Sequence, residues 1–243
     1  MMNVRQLFGI ILVITIMAAL PVFAGDKPIK NEAELSYLET KGNTETISFN
    51  AKNTLTWAVN DKMNVIWQLA GLYSESDKTK NGEKYSTELR GDYLLTEKFY
   101  SSFIGGALKD EFAGVDAKYY VGPACGYKIL NGPNHTFITE AGVDYVMEEY
   151  VDETDEDFFQ GRVLARYEFA FQKKNKFFQT VEYLINFEES DDYQVKSETA
   201  VVYSFNDSVS LKTSYEVKYD HLPVPETLDD TDTTLSTTLI VNY

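Results

Sequence analysis

The run Ile47-Ser48-Phe49-Asn50-Ala51-Lys52-Asn53-Thr54-Leu55-Thr56-Trp57 sorts its residues by parity. Ile47, Phe49, Ala51, Leu55 and Trp57 share one parity, while Ser48, Asn50, Lys52, Thr54 and Thr56 hold the other. Successive side chains on a strand point to opposite faces, so this stretch predicts a strand with one apolar and one polar face. The pattern returns in Val163, Ala165, Tyr167, Phe169 and Phe171 against Arg162, Arg166 and Glu168. It recurs around Val181 to Phe187, Val195 to Phe205, Val209 to Tyr219 and Leu235 to Tyr243. Weaker versions cover Val65 to Tyr73, Tyr85 to Leu95, Phe99 to Lys109, Tyr119 to Ile129 and Phe137 to Met147. A first strand holds Ala33, Leu35 and Tyr37. Twelve strands result, and the one around Gly105-Gly106 carries the faintest alternation.

Composition narrows what twelve such strands build. Of the 243 residues, 44% are hydrophobic and 25% charged, which excludes disorder and collagen-like repetition. A mean hydropathy of −0.30 leaves no room for several membrane-spanning helices. Seventeen Tyr and fifteen Phe suit a sheet. A net charge of −16 argues against nucleic acid as a partner, since no basic stripe is present to neutralise phosphates.

The first 24 residues form their own unit. Arg5 is the lone charge before Asp26, Leu7 to Leu20 is almost wholly apolar, and Val22-Phe23-Ala24 ends in small residues at the cleavage positions. These are the parts of a secretory signal peptide, and the apolar run is shorter than the ~20 residues a spanning helix needs. The reading gives a signal peptide at 1–24 and a barrel domain at 25–243, exported and carrying a charge of −17 once Arg5 is removed. Cys125 has no partner cysteine, so no internal disulfide forms.

Strands of roughly ten residues with an apolar face fit either a soluble sandwich or an antiparallel up-and-down transmembrane β-barrel. The connections favour the barrel. Asn60-Asp61-Lys62, Thr96-Glu97-Lys98, Asn131 to Asn134, Lys173-Lys174-Asn175 and Asn206-Asp207-Ser208 are short; Ser74 to Lys84, Lys109 to Lys118, Glu148 to Asp157, Glu188 to Asp192 and Asp220 to Asp232 are mostly longer. Alternating short turns and long loops are the layout of an outer-membrane barrel with both termini in the periplasm. The Lys41-Gly42-Asn43 hairpin is the short member of the outer set. Charge divides the same way. The last three long connections hold seven, four and five acids with no Lys or Arg. Asp152, Glu153, Asp155, Glu156, Asp157, Asp229 and Asp230 thus form an acidic outer rim.

Inside such a barrel the sequence predicts a charge ladder. A hairpin centred on Glu153 sets Glu140 opposite Arg166 and Asp144 opposite Arg162; a turn centred on Lys174 brings Glu182 beside Arg166. All five have the parity opposite to the apolar face. An Arg on the lipid face would cost ~2–4 kcal/mol at mid-membrane, whereas a lumen tolerates paired or wet charge.

Chemistry-bearing motifs are sparse. Asp220-His221 at the rim is a candidate hydrolase dyad, weighed against plain solvation in an acidic loop. His135-Thr136-Phe137 lacks a nucleophilic Ser, and two His with one Cys make a zinc site improbable. The run Asp152 to Asp157 lacks the central Gly of an EF-hand loop, which leaves loose, weak divalent-cation binding against solvation. Neither a phosphate loop nor a dinucleotide fingerprint occurs, so no cofactor is expected. Tyr73, Tyr85, Tyr127, Tyr145, Tyr219 and Tyr243 fit interfacial girdles. The expectation is therefore a non-enzymatic, monomeric barrel in contact with outer-membrane lipid and lipopolysaccharide. A rim hydrolase and a soluble ligand-binding barrel are the alternatives.

Two stretches resemble a known family. Thr40-Lys41-Gly42-Asn43-Thr44-Glu45-Thr46 is similar to the Gly-Asn-Thr hairpin near the start of the YdiY-like salt-induced outer-membrane proteins. Tyr219-Asp220, Pro223, Pro225 and Thr231-Asp232-Thr233-Thr234-Leu235 resemble that family's closing hairpin. Lys41 stands where the family often has Ser, and the closing loop lacks the Gly that commonly follows the prolines. The resemblance implies an outer-membrane β-barrel of Gram-negative bacteria and supplies no catalytic residues.

Overall fold

The computed structural model describes residues 29–40, 46–172, 174–223 and 228–242. The segment 1–24 expected to be a signal peptide, the Lys41-Gly42-Asn43 stretch expected to be a hairpin turn, Lys173, Pro225 and Tyr243 lie outside the described residues. The strands are β1 (Ile29–Thr40), β2 (Thr46–Asn60), β3 (Met63–Ser76), β4 (Thr79–Leu94), β5 (Phe99–Asp110) and β6 (Val115–Asn131). They continue as β7 (His135–Tyr150), β8 (Asp155–Phe171), β9 (Asn175–Asn186), β10 (Tyr193–Ser204), β11 (Val209–Asp220) and β12 (Thr231–Asn242). All neighbours are antiparallel and follow chain order, and β12 returns to β1 to close a barrel. Closure joins the first and last strands to each other, as a sheet that crosses lipid requires. The β1–β12 seam is the shortest pairing among the described residues, running from Glu32↔Asn242 to Leu35↔Leu239. By contrast β2 and β3 pair from Thr46↔Ser76 to Asn60↔Met63.

The apolar parity faces out. Phe103 is 60% exposed, Tyr203 54% and Leu235 74%, and Trp57 and Leu239 share that face. Phe49 lies on it too, registered with Tyr37 and Tyr73. A surface of this kind around a whole barrel far exceeds the few hundred Å² of apolar patch that a water-soluble monomer shows. It is the surface of a protein solvated by lipid. Polar residues of the same parity satisfy one another: Asn53 donates to Asn31 Oδ1 at 2.6 Å, Trp67 Nε1 to Thr87 Oγ1 at 3.0 Å and Gln179 Nε2 to Ser197 Oγ at 2.9 Å. In hydrocarbon an unpaired amide would be costly, so these pairs make the outer wall tolerable.

Exposed aromatics gather at both ends. Trp57, Tyr93, Phe99, Tyr127, Tyr203 and Phe205 lie near the short turns, and Tyr37, Tyr85, Tyr119, Phe159 and Phe187 near the opposite end. These are girdles at two interfaces. Tyr73, expected among them, is only 8% exposed and donates to Glu75 at 2.8 Å.

The long connections are shorter than the sequence predicts. Strands β3 and β4 run on to a two-residue turn at Asp77-Lys78, both with positive φ (48° and 64°). This geometry continues the twist of the hairpin. Polar residues from Ser74 to Lys84 read as loop, yet their backbone groups keep pairing in water beyond the apolar band. Likewise β7 and β8 extend to Tyr150 and from Asp155. A single 3₁₀ turn, Glu111–Ala113, links β5 to β6.

Candidate functional site

The polar parity lines an interior that is densest along β4–β8. There Glu140 on β7 is 5% exposed and accepts two hydrogen bonds from Arg90 on β4, at 3.0 and 2.7 Å. Tyr100 on β5 donates a third at 2.6 Å. Arg90 Nε also reaches Asp92 at 2.7 Å and its Nη2 reaches Ser102 Oγ at 3.0 Å. Ser102 in turn donates to Asp92 at 2.6 Å. A planar guanidinium held by two acids in this way is rigid and strongly bound. The cluster ties β4, β5 and β7 together across the inner wall.

Small residues make the span possible. Tyr100 lies over Gly126 of β6, where any Cβ would collide with its ring. Tyr120 lies over Gly106 of β5 in the same manner and donates to Glu88 on β4 at 2.7 Å. Each ring thus lies flat against the neighbouring strand and crosses it. The glycines that weaken the alternation of β5 and β6 are therefore the floor on which this network rests.

The predicted ladder is corrected in register. Ile138 lies opposite Arg166 and Gly142 opposite Arg162, so β7–β8 is slipped by two residues from a hairpin centred on Glu153. Glu140 faces Leu164 and goes to Arg90 instead of Arg166. Asp144 and Arg162 still meet, with Nε 2.9 Å from Oδ2, because an Arg reaches a diagonal partner. Glu182 lies opposite Leu164 and Lys196 and makes its ion pair with Lys196 at 3.8 Å. Arg166 lies 3.7 Å from Glu168 and places its guanidinium 4.5 Å over the Phe178 ring.

The wall formed by β10, β11, β1 and β2 is more open. Lys212 on β11 forms an ion pair with Glu34 on β1, reaching past β12, and lies 3.6 Å from Glu198. Glu34 also lies 3.6 Å from Lys52. Cavities follow one another along the interior. One of about 620 Å³ is lined by Glu34, Lys52, Glu198 and Lys212. Another of about 250 Å³ shares Lys84, Asp110 and Lys218 with it. A third of about 530 Å³ shares Glu88 with the second and opens by Asp61 and Lys62 at the short turns. Arg90, Tyr100, Lys118 and Lys212 are lumen residues that strand-by-strand reading does not find. Their partners lie on non-adjacent strands or depend on register. The inward glycines Gly106 and Gly126 are the signal that could have pointed to two of the crossings.

At the loop end, Asp152, Glu153, Asp155, Glu156, Asp157, Asp229 and Asp230 are exposed. Glu156 also lines a small cavity with Glu148, Asp192 and Asp220. Hydrogen bonds from Thr154 hold the Asp152 carboxyl below its ordinary range. Among the described residues no group of three or more His, Cys, Asp and Glu is placed to hold a metal.

The Asp220-His221 dyad does not assemble. Asp220 turns inward and accepts from Gln194 at 2.8 Å. His221 turns outward, stacks on Tyr193 with centroids 4.7 Å apart and keeps its Nδ1 2.8 Å from the Tyr219 hydroxyl. Adjacent strand residues point to opposite faces, so the carboxylate cannot orient the imidazole. His135 repeats the arrangement at the other end, stacked on Phe169 at 4.8 Å with Nδ1 2.8 Å from the Tyr167 hydroxyl. Both histidines belong to the aromatic girdles.

Comparison with known proteins agrees with this architecture. The chain is 28% identical to the protein YdiY of Escherichia coli K12 over 212 residues, 86% of this chain and 82% of that protein. Among solved structures it is similar to the translocator domain of the autotransporter NalP from Neisseria meningitidis, with a TM-score of 0.54 at 11% identity, covering 98% and 95% of the two chains. It is also similar to an outer membrane channel from Pseudomonas putida F1, with a TM-score of 0.52 at 10% identity, covering 93% and 97%. The family described as "Protein of unknown function, DUF481" matches residues 33–243. The chain belongs to that family, and its fold is that of the bacterial outer-membrane β-barrels.

Proposed function

We propose that the barrel is a narrow, water-filled pore for small polar solutes, with its loop end outside the cell and an acidic mouth that favours cations. The carrying observation is the succession of polar cavities sharing walls from the Asp232 end to Asp61 and Lys62. Carboxylates at the mouth raise the local concentration of cations, an effect that reaches about a Debye length of ~8 Å at physiological salt. The barrel acts as a monomer in outer-membrane lipid and lipopolysaccharide, and its rim holds divalent cations weakly. The test is planar-bilayer recording on detergent-purified protein whose unheated form migrates faster than the heated form on a gel. Small, steady conductance with cation preference is expected.

A second reading rests on the Arg90–Glu140–Tyr100 cluster, which fills the β4–β8 side of the lumen. In that reading the barrel is closed and serves envelope maintenance. Absence of any conductance from correctly folded protein would replace the first reading with the second.

A further inference from the structure

Along β10 and β11 the register sets Lys196 directly opposite Lys218. Like charges facing each other across a strand pair, with Cβ atoms about 4.5–5.5 Å apart, destabilise a sheet. Three cations that line the same stretch of lumen are drawn into close pairs: Lys84 lies 3.1 Å from Asp110, Lys118 3.1 Å from Glu148 and Arg162 2.9 Å from Asp144. Lys196 and Lys218 are not. Their nearest acids, Glu182 and Asp220, stand at 3.8 and 4.0 Å, beyond hydrogen-bond range. The adjacent rung is a pair of acids, Glu198 opposite Glu216, which offsets part of their charge from one rung away, and Glu198 is shared with Lys212. Among the described residues, then, two ammonium groups face each other with no carboxylate acceptor at hydrogen-bond distance.

Both side chains open on the central cavity of about 250 Å³, where Lys84, Lys118 and Arg162 are each matched by an acid of the same wall and Glu88 and Glu182 are the remaining carboxylates. That volume is several times the ~30 Å³ share of one water molecule, enough for a small ion with part of its hydration shell. Gln194, one rung toward the loops, lines the same cavity with its amide donating to Asp220 at 2.8 Å.

We propose that this waist of the lumen is an anion-binding site. Lys196 and Lys218 clamp a small oxyanion, phosphate-like or carboxylate, and the anion removes the repulsion that the empty rung carries. The site rests on the water-filled lumen of the preceding reading, though not on passage through it. The pore then has opposite charge at its mouth and its waist: acids gather cations at the entrance, and the lysine rung holds the anion that crosses or plugs it.

The test uses the full-length mature barrel, folded in detergent, with inorganic phosphate as titrant at low ionic strength and neutral pH. Calorimetry should show one saturable site. Lys196→Gln and Lys218→Gln should each weaken it about ten-fold or more, and Lys218→Arg should retain it. Lys176→Gln, whose lysine pairs with Glu168 at 3.0 Å near the short turns, should leave it unchanged. Heat-modifiable migration checks that each variant is folded, and removing one member of a like-charged rung should not lower the melting temperature. Absence of phosphate binding to the folded parent overturns the site. So does binding that survives both Gln variants, or that falls equally in Lys176→Gln. In bilayers, phosphate should reduce the conductance of the parent and not that of the Gln variants. A barrel that conducts nothing yet binds phosphate through Lys196 and Lys218 removes the pore and keeps the site.

Discussion

Replacing Arg90 by Met should destabilise the barrel more than replacing Arg90 and Glu140 together. In the parent, Glu140 is 5% exposed and accepts two bonds from Arg90 and one from Tyr100. Arg90→Met leaves that buried carboxylate with the Tyr100 hydroxyl and also deprives Asp92 of its partner. Breaking a buried pair costs ~3–5 kcal/mol, and the side chain of Arg90 is 16% exposed, which favours the lower end, about 3 kcal/mol. Glu140→Met should cost less, about 2 kcal/mol, because Arg90 keeps Asp92 and Ser102. In the double variant neither member of the pair is left unpaired, but Tyr100 loses one acceptor and Asp92 keeps Ser102 without Arg90, together worth about 2 kcal/mol. The coupling energy is therefore about 3 kcal/mol in favour of the pair. The assay is urea unfolding from lipid vesicles, followed by the fluorescence of Trp57 and Trp67, with free energies extrapolated to zero denaturant. A double variant as unstable as the sum of its singles would refute the cluster as a coupled unit.

Three further outcomes follow from the same geometry. Gly126→Ala drives a methyl into the Tyr100 ring, so it should cost about 1–3 kcal/mol in the same unfolding assay, with much of the loss restored when Tyr100→Ala is added. On the lipid face, Val163→Arg, at a residue 53% exposed in the middle of β8, should cost ~2–4 kcal/mol, whereas the lumen change Thr180→Arg should cost less. At the loop end, Lys80 and then Lys109, each 3.2 Å away, hold the Glu111 carboxyl below its ordinary value. The stabilisation of a depressed acid is present above the unfolded-state value and lost as pH falls through the folded one. Hydrogen exchange at residues 110–115 should therefore show faster opening of this turn as pH falls from neutral to about pH 3, and no such change in Glu111→Gln.

Strand number and orientation are written locally, and so were readable. Ile47 to Trp57 announces its two faces within one strand, and even β5, with Gly105-Gly106, kept enough alternation in Phe103 and Ile104 to be placed. Contacts in the lumen obey longer-range rules. Moving a hairpin centre by one residue shifts register by two, and that small difference separates Glu140–Arg166 from the observed Glu140–Arg90 pairing. Arg90 and Glu140 lie 50 residues apart on strands that do not touch, with nothing in either neighbourhood to name the other. The connection from Ser74 to Lys84 misled for a different reason. Polarity reports contact with water, and a hairpin standing above the apolar band is as polar as a loop.

The joint between the first and last strands sets how such a chain has to be built. Every other neighbour is made by folding back on the strand just laid down, a short-range move with a small loop-closure cost. The ring is completed by uniting strands far apart in the sequence, through contacts such as Glu32 with Asn242 and Leu35 with Leu239. Until that happens, β1 and β12 each carry a bare row of donors and acceptors that hydrocarbon cannot satisfy. Insertion must therefore keep those two rims engaged, with a helper or with each other, and the terminal residues govern whether a nearly finished sheet becomes a sealed cylinder.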